Sequence, residues 1–285
     1  VIKIATNSDI SHAMLYVSRG SVMDSTSNGV HSKNIEKIFY EDNCSIYVLR
    51  LINPISDFMT DKVIDFVRAS TGTPYSMKEA ALSAKEINNS SGSEKMFCSR
   101  LIARAYSSVG IDLYQNPNFC TPENLKNSNL LRQVENFSLQ ISEKEIEHII
   151  LFGDDTKGMS EVTNKLLASV RKISPKILSV NDIIEVSIKF QKSDSKLADA
   201  YKASGYLDYW KTQEEKYPWR YDISEMFAVH ERLRNTGGLN SLVRYCNDAL
   251  IDNEKGVFDH WYRNAVTAAS LYQKYPREVL KLELQ

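Results

Sequence analysis

The residues best suited to chemistry in this chain are a histidine, a carboxylate and a cysteine. The first two share one stretch, Ser11-His12-Ala13-Met14-Leu15-Tyr16-Val17-Ser18-Arg19-Gly20-Ser21-Val22-Met23-Asp24, with Asp24 twelve residues after His12. The third stands in Met96-Phe97-Cys98-Ser99-Arg100-Leu101-Ile102-Ala103-Arg104-Ala105-Tyr106, where an amphipathic helix begins at Cys98. A cysteine attacks as the thiolate, and a free thiol holds only a small fraction of that form at neutral pH. At a helix N-terminus the sulfur faces unpaired N–H groups and the positive end of the dipole, and a nearby imidazolium favours the anion further. The same N–H groups are available to a developing oxyanion. A nucleophile, a base and an orienting group together are the equipment of a thiol hydrolase.

Those side chains need elements to bring them together. From His12 to Val17 the residues alternate as in a strand, with His12, Met14 and Tyr16 on one face and Ala13, Leu15 and Val17 on the other. Ser18-Arg19-Gly20 reads as a three-residue loop, and Val22 to Asp24 as the returning strand. If Val17 faces Ser21, then Met14 faces Asp24, one diagonal step from His12 on the same sheet face. A slip of one residue would turn the carboxylate away. Further on, Ile46 to Leu51 is β-rich, and Thr60 can cap a helix carrying Val63, Ile64 and Val67 that stops before Gly72. Thr73-Pro74-Tyr75 is a turn, and the polar stretch from Lys85 to Lys95 reads as a surface loop. The helix at Cys98 lines up Leu101, Ile102, Ala105, Tyr106 and Val109 and ends at Gly110.

The second half has a different period. Ser142 with Glu145 resembles a capping box. Leu242, Val243, Cys246, Ala249 and Leu250 make one helical face, and Phe258, Trp261, Ala265, Val266, Ala269 and Tyr272 another. Gly237-Gly238 and Pro276 punctuate these helices. The change of period divides the chain into residues 1–138 and an all-α part, 139–285.

Composition narrows the choices. Hydrophobic residues at 42% and charged residues at 25% are those of a soluble globular protein. A net charge of −1 gives no general attraction to nucleic acid, and no apolar run approaches a membrane span. No signal peptide is visible, which favours the cytoplasm, although the chain starts at Val1 and not at a methionine. Cys44, Cys98, Cys120 and Cys246 are far apart, without a CxxC pair, and the five histidines do not join them at zinc-ligand spacings. With no HExxH, Walker loop or GxGxxG, neither a metal nor an organic cofactor is expected.

The two chemical stretches resemble the NlpC-type branch of papain-like thiol hydrolases. In that branch a hairpin of the form S-H-V-G-I-Y carries the histidine, with a polar third member twelve residues on; Ser11 to Asp24 aligns without a gap. The branch's other motif is G-x-P-Y, an insert, D-C-S-G-L, a helix and G-hydrophobic-x-L. Gly72-Thr73-Pro74-Tyr75, Phe97-Cys98-Ser99-Arg100-Leu101-Ile102 and Gly110-Ile111-Asp112-Leu113 follow it. The order here is histidine, polar residue, cysteine, which is similar to the circularly permuted YiiX/YebB-like group and to lecithin:retinol acyltransferase-like proteins. Gly29-Val30, Val48-Leu49-Arg50 and Thr121-Pro122-Glu123-Asn124-Leu125 also look like the YiiX-like group. Arg100 stands where many relatives have glycine, and Asp24 where Glu, His or Asn is commoner.

The resemblance implies an α+β fold: a permuted papain-like catalytic domain over residues 1–138, followed by an all-α helical domain. It implies a Cys98–His12–Asp24 triad acting through an acyl-enzyme thioester on amide, peptide or isopeptide bonds. Tyr75 would line the oxyanion, with Ser99 and Ser11 supporting neighbours or backbone. The same triad would serve an acyltransferase or a lipid-ester or thioester hydrolase. An inactive module binding a protein partner through residues 139–285 is the alternative from another class. Plainer roles stand beside these. Asp24 also reads as a hairpin-end carboxylate, His31 as a surface histidine, Cys44 and Cys246 as core, and Cys120 as incidental. Tyr206, Tyr209, Trp210, Trp219 and Trp261 read as core rather than a ligand cage.

Overall fold

A computed structural model of the chain describes residues 10–18, 20–41, 43–76, 79–80, 94–138, 140–143, 146–147, 155–236, 240, 242–243, 246–247 and 257–285. Most of the polar stretch 85–95, Glu145, Gly237-Gly238, Ala249 and Leu250 lie outside them. The chain divides into two compact units, Val1–Leu167 with Pro175–Asp182, and Ala168–Ser174 with Ile183–Gln285. The first unit mixes strands and helices, and the described elements of the second are helical.

In the first unit, β1 (Leu15–Ser18), β2 (Ser21–Thr26) and β3 (Gly29–Asn34) form an antiparallel sheet in that order. Leu15 pairs with Met23 and Tyr16 with Val22, the register that sets Met14 opposite Asp24 when continued one step. Nearer the turn, Ser18 and not Val17 pairs with Ser21, because the register shifts by one between Tyr16 and Ser18. A bulge of this kind adds one residue to one strand and leaves the pairing beyond it intact. The strand also begins later than its alternation suggests. His12 precedes it in an irregular segment, so its placement depends on tertiary contacts and not on the ladder.

The third strand was not anticipated by the periodicity. Thr26 pairs with Gly29 across a two-residue turn at Ser27-Asn28, and Asp24 pairs with His31. Gly29 has φ +94°, and a Cβ there would lie 3.0 Å from the Thr73 carbonyl oxygen. This close approach lets β3 bond to the Gly72-Thr73 backbone: the Val30 N–H donates to Thr73 O at 3.1 Å, and the Gly72 N–H to Val30 O at 2.7 Å. A second antiparallel pair joins β4 (Val48–Leu51) to β5 (Leu131–Val134).

Helix α1 (Asp57–Ala69) starts a turn earlier than a Thr60 cap implies. Ser56 is its N-cap and accepts from the Met59 N–H at 3.3 Å, while the Thr60 N–H already donates to Ser56 O. Ser56 followed by Asp57 suits the unpaired donors and positive dipole of the first turn better than a cap three residues later. Helix α2 (Cys98–Ser107) runs through the middle of the unit. Leu101 and Ala105 pack with Val17, Met23, Val30, Val63, Val67 and Met96. Ile102 and Ala103 pack with Leu113, Cys120 and Leu125. Burying Leu101 and Ile102 contributes about 1.5–3 kcal/mol each. The short α3 (Pro122–Lys126) opens on a reciprocal cap in which Thr121 Oγ1 accepts from Asn124 N–H and Asn124 Oδ1 accepts from Thr121 N–H.

Beyond these elements the described residues form α4 (Asp155–Ile173), α5 (Asn181–Lys189), α6 (Gln191–Ser204), α7 (Tyr209–Lys216), α8 (Ile223–Thr236), α9 (Val257–Lys274) and α10 (Glu278–Glu283). Several residues expected in the core lie elsewhere. Trp210 is 51% exposed, Cys44 is exposed, and Cys246 is half-buried. On α9, Ala265 and Val266 are exposed, while Ala269 and Tyr272 are half-buried. Apolar periodicity defines a helical face but not whether anything covers it. No helix among the described residues is long and apolar enough to cross a membrane.

Candidate active site

Three separate pieces of backbone converge at the start of α2. Ser25, beside Asp24 on β2, donates its hydroxyl to the Met96 carbonyl at 2.8 Å. The Met96 N–H donates to Pro74 O at 3.0 Å. The residue two before Cys98 is thus tied to the sheet and to the Gly72-Thr73-Pro74-Tyr75 turn, which itself bonds to β3. The N-cap of α2 is Phe97, which offers no side-chain cap, and the first turn carries no acidic residue. The N–H groups that open the helix have no capping side chain.

His12 stands against this helix start. Its Nε2–H donates to Asp24 Oδ2 at 3.0 Å, and Cys98 is near enough to the ring to favour its charged form. Lys33 Nζ donates to the same Asp24 oxygen at 2.6 Å. Asp24 is 1% exposed, and its Oδ1 is buried with no hydrogen-bond partner among the described residues. Burial pulls the imidazole towards neutrality, but its bond to Asp24 and the nearness and charge of Cys98 outweigh this and raise it from 6.5 to about 9. Burial pushes the Asp24 carboxyl up, and the bonds and charges of His12 and Lys33 more than offset it, holding it below the usual range.

Tyr75 flanks the pair. Its phenol is pushed up to about 12 by burial and by negative charge at Cys98, and so remains a donor throughout the neutral range. Burial and the same charge push Cys120 up to about 12, which keeps that thiol protonated. Ser99 is fully buried and donates to the Cys120 carbonyl at 2.7 Å, so its hydroxyl holds the following loop and does not point at the sulfur. Ser11 is half-buried beside His12. His31 is not a surface residue: it is 6% exposed and bonds Asn28 O at 2.9 Å and Asn164 Oδ1 at 3.1 Å.

The structure thus brings His12, Asp24, Cys98 and Tyr75 together. Two contributors were missed in the sequence. Lys33 becomes visible only when Ser27-Asn28 is read as a hairpin turn, which makes a third strand and sets Lys33 on the Asp24 face. Ser25 carries no motif, and its partner is a backbone carbonyl 71 residues away. Arg100, noted for replacing glycine, is 1% exposed. It donates through Nε to Asn118 O and through Nη1 to Lys95 O, both at 2.7 Å, pairs with Glu79, and lies over the Phe97 ring at 4.5 Å. It crowds the helix start without blocking it, because its guanidinium turns into the packed interior. Among the described residues no group of three or more His, Cys, Asp or Glu side chains could hold a metal ion.

The arrangement sets a thiol, an imidazole and a buried carboxylate side by side. The family described as permuted papain-like amidase enzyme, YaeF/YiiX, C92 family, matches residues 2–147. No curated protein and no solved structure matches the chain.

Proposed function

The chain belongs to the permuted papain-like amidase family, and on that premise we propose that it hydrolyses peptide or isopeptide bonds with Cys98 as nucleophile. The observation that carries this reading is the Asp24–His12 hydrogen bond set beside Cys98 at an uncapped helix start. Asp24 binds Nε2 of the ring, which leaves Nδ1 to serve the sulfur. His12 takes the thiol proton, and the thiolate adds to the carbonyl carbon. The Cys98 N–H and the Tyr75 phenol donate to the oxyanion. His12 protonates the leaving amine, the C–N bond breaks and a thioester remains. His12, now neutral, removes a proton from water as the water adds to the thioester, and returns that proton to the departing sulfur.

Competitive alkylation with iodoacetamide, read by mass spectrometry, tests the assignment. Exposure alone ranks Cys44 first, since Cys98 is 2% exposed. An activated thiol reverses that order. Cys98 is expected to react fastest at pH 7 and to slow by about tenfold or more in His12→Ala. Labelling led by Cys44 and indifferent to His12→Ala would sink the proposal.

A further inference from the structure

The contact left without a role above is Lys33 on Asp24. A lysine–carboxylate pair on a protein surface usually does little. This one differs because its carboxylate is 1% exposed while Lys33 is 39% exposed. A carboxylate so removed from water needs a cation and hydrogen bonds to remain charged. The sheet register supplies them. Asp24 pairs with His31 and Val22 with Lys33, so Lys33 is the diagonal neighbour of Asp24 on the same face, within reach of a long side chain. His12 and Lys33 both bond to Oδ2.

The mechanism asks two things of Asp24 that conflict. It must attract the imidazolium, and it must remain a buried anion after that ring has given its proton to the leaving amine. At that stage His12 is neutral and compensates nothing. Lys33 bears a charge that the reaction cycle does not touch, on the same oxygen. We propose that Lys33 is a positioning residue that takes over the Asp24 carboxylate when His12 gives up its proton, and so lets the ring act as a base as well as an acid. This inference rests on the catalytic reading above. The other ionisable groups facing the pair are His31 across the ladder, Tyr40 beyond β3, and Cys98 through His12. Among the described residues none of these donates to Asp24; only Lys33 and His12 do.

The test is an NMR titration of the His12 ring in full-length Cys98→Ala protein, which removes the thiol from the equilibrium. With Lys33→Met, the neutral ring would face a buried carboxylate lacking any cation. The midpoint is therefore expected to rise, making the neutral imidazole about tenfold rarer at a given pH. Lys33→Arg should restore the starting midpoint. Asp24→Asn should lower it, and Lys33→Met should add nothing in that background. An unmoved or lowered midpoint in Lys33→Met would overturn the inference, leaving the pair merely structural. So would an equal rise in the Asp24→Asn background, since Lys33 would then act on the ring directly. The titration does not involve Cys98, whereas the alkylation experiment does, so either reading can fail alone.

Discussion

Two buried aspartates, one in each unit, show how differently the halves of this chain use a charge. Asp194 on α6 is 6% exposed. Its Oδ2 accepts from the Glu278 N–H at 2.7 Å and its Oδ1 from the Val279 N–H at 3.2 Å. Both oxygens are satisfied by backbone donors that open α10, and neither donor titrates. Asp24 is buried as deeply, but both of its bonds fall on one oxygen and come from ionisable side chains. A carboxylate saturated by backbone N–H groups fastens two helices. One held by a histidine and a lysine changes its surroundings whenever a proton moves. Burial does not distinguish the two carboxylates; the chemical type of their donors does.

Three substitutions would break or sharpen that contrast. The largest effect is expected at Arg100, a buried charge beside the site whose partners are mostly fixed, as those of Asp194 are. Arg100→Met should cost about 3–5 kcal/mol in denaturant unfolding, because Glu79 and two carbonyls lose their donor together. A change confined to Cys98 reactivity, with stability intact, would move Arg100 into the functional class.

Asp24→Asn should come next, with a loss of about a hundredfold in turnover and little loss of fold. Its pH dependence has a definite sign. His12 is raised from 6.5 to about 9, so the stability its bonds contribute is fully present below about 6.5 and disappears as pH rises through about 9. Asp24 is lowered, so its contribution is present above its ordinary value and disappears only as pH falls through the depressed one. Without the carboxylate, burial of the ring is opposed by Cys98 alone. The alkaline limb of turnover, where His12 loses the proton it gives to the leaving amine, should then fall from about pH 9 towards neutrality, and a limb that stays in place would detach Asp24 from the site.

The smallest effect is expected at Asp194→Ala, about 1–2 kcal/mol of stability, from the lost donors' partner at the start of α10. Thermal unfolding would register it, while Cys98 alkylation should be unchanged. Equal losses in both measurements would erase the distinction between the two aspartates.

Much of the site was legible because its signals are local. Cys98 at an uncapped helix start, Gly110 at the end of that helix with φ +81°, and the twelve-residue spacing of His12 and Asp24 all depend on short-range geometry. The Leu15–Met23 register followed from alternation even though a bulge altered the turn, since a bulge changes only the residues on one side of it. The helices of the second half declared themselves by period. Their coverage did not: Trp210 and Val266 are apolar at helical spacing and yet 51% and 49% exposed. Period reports that a stripe exists, whereas packing depends on what lies opposite.

By itself the sequence determined the residue types, the order histidine–carboxylate–cysteine and the faces those residues take in their own elements. Only the tertiary structure decided that the His12 ring bonds Asp24 beside Cys98, that Lys33 shares the carboxylate, and that His31 and Arg100 turn into the interior. The physical reason is the range of the forces. Alternation, helix period and capping act over a few residues and are written in the chain. Compensation of a buried charge requires partners from separate elements, and here those partners come from a segment ahead of β1, from β3 and from the start of α2.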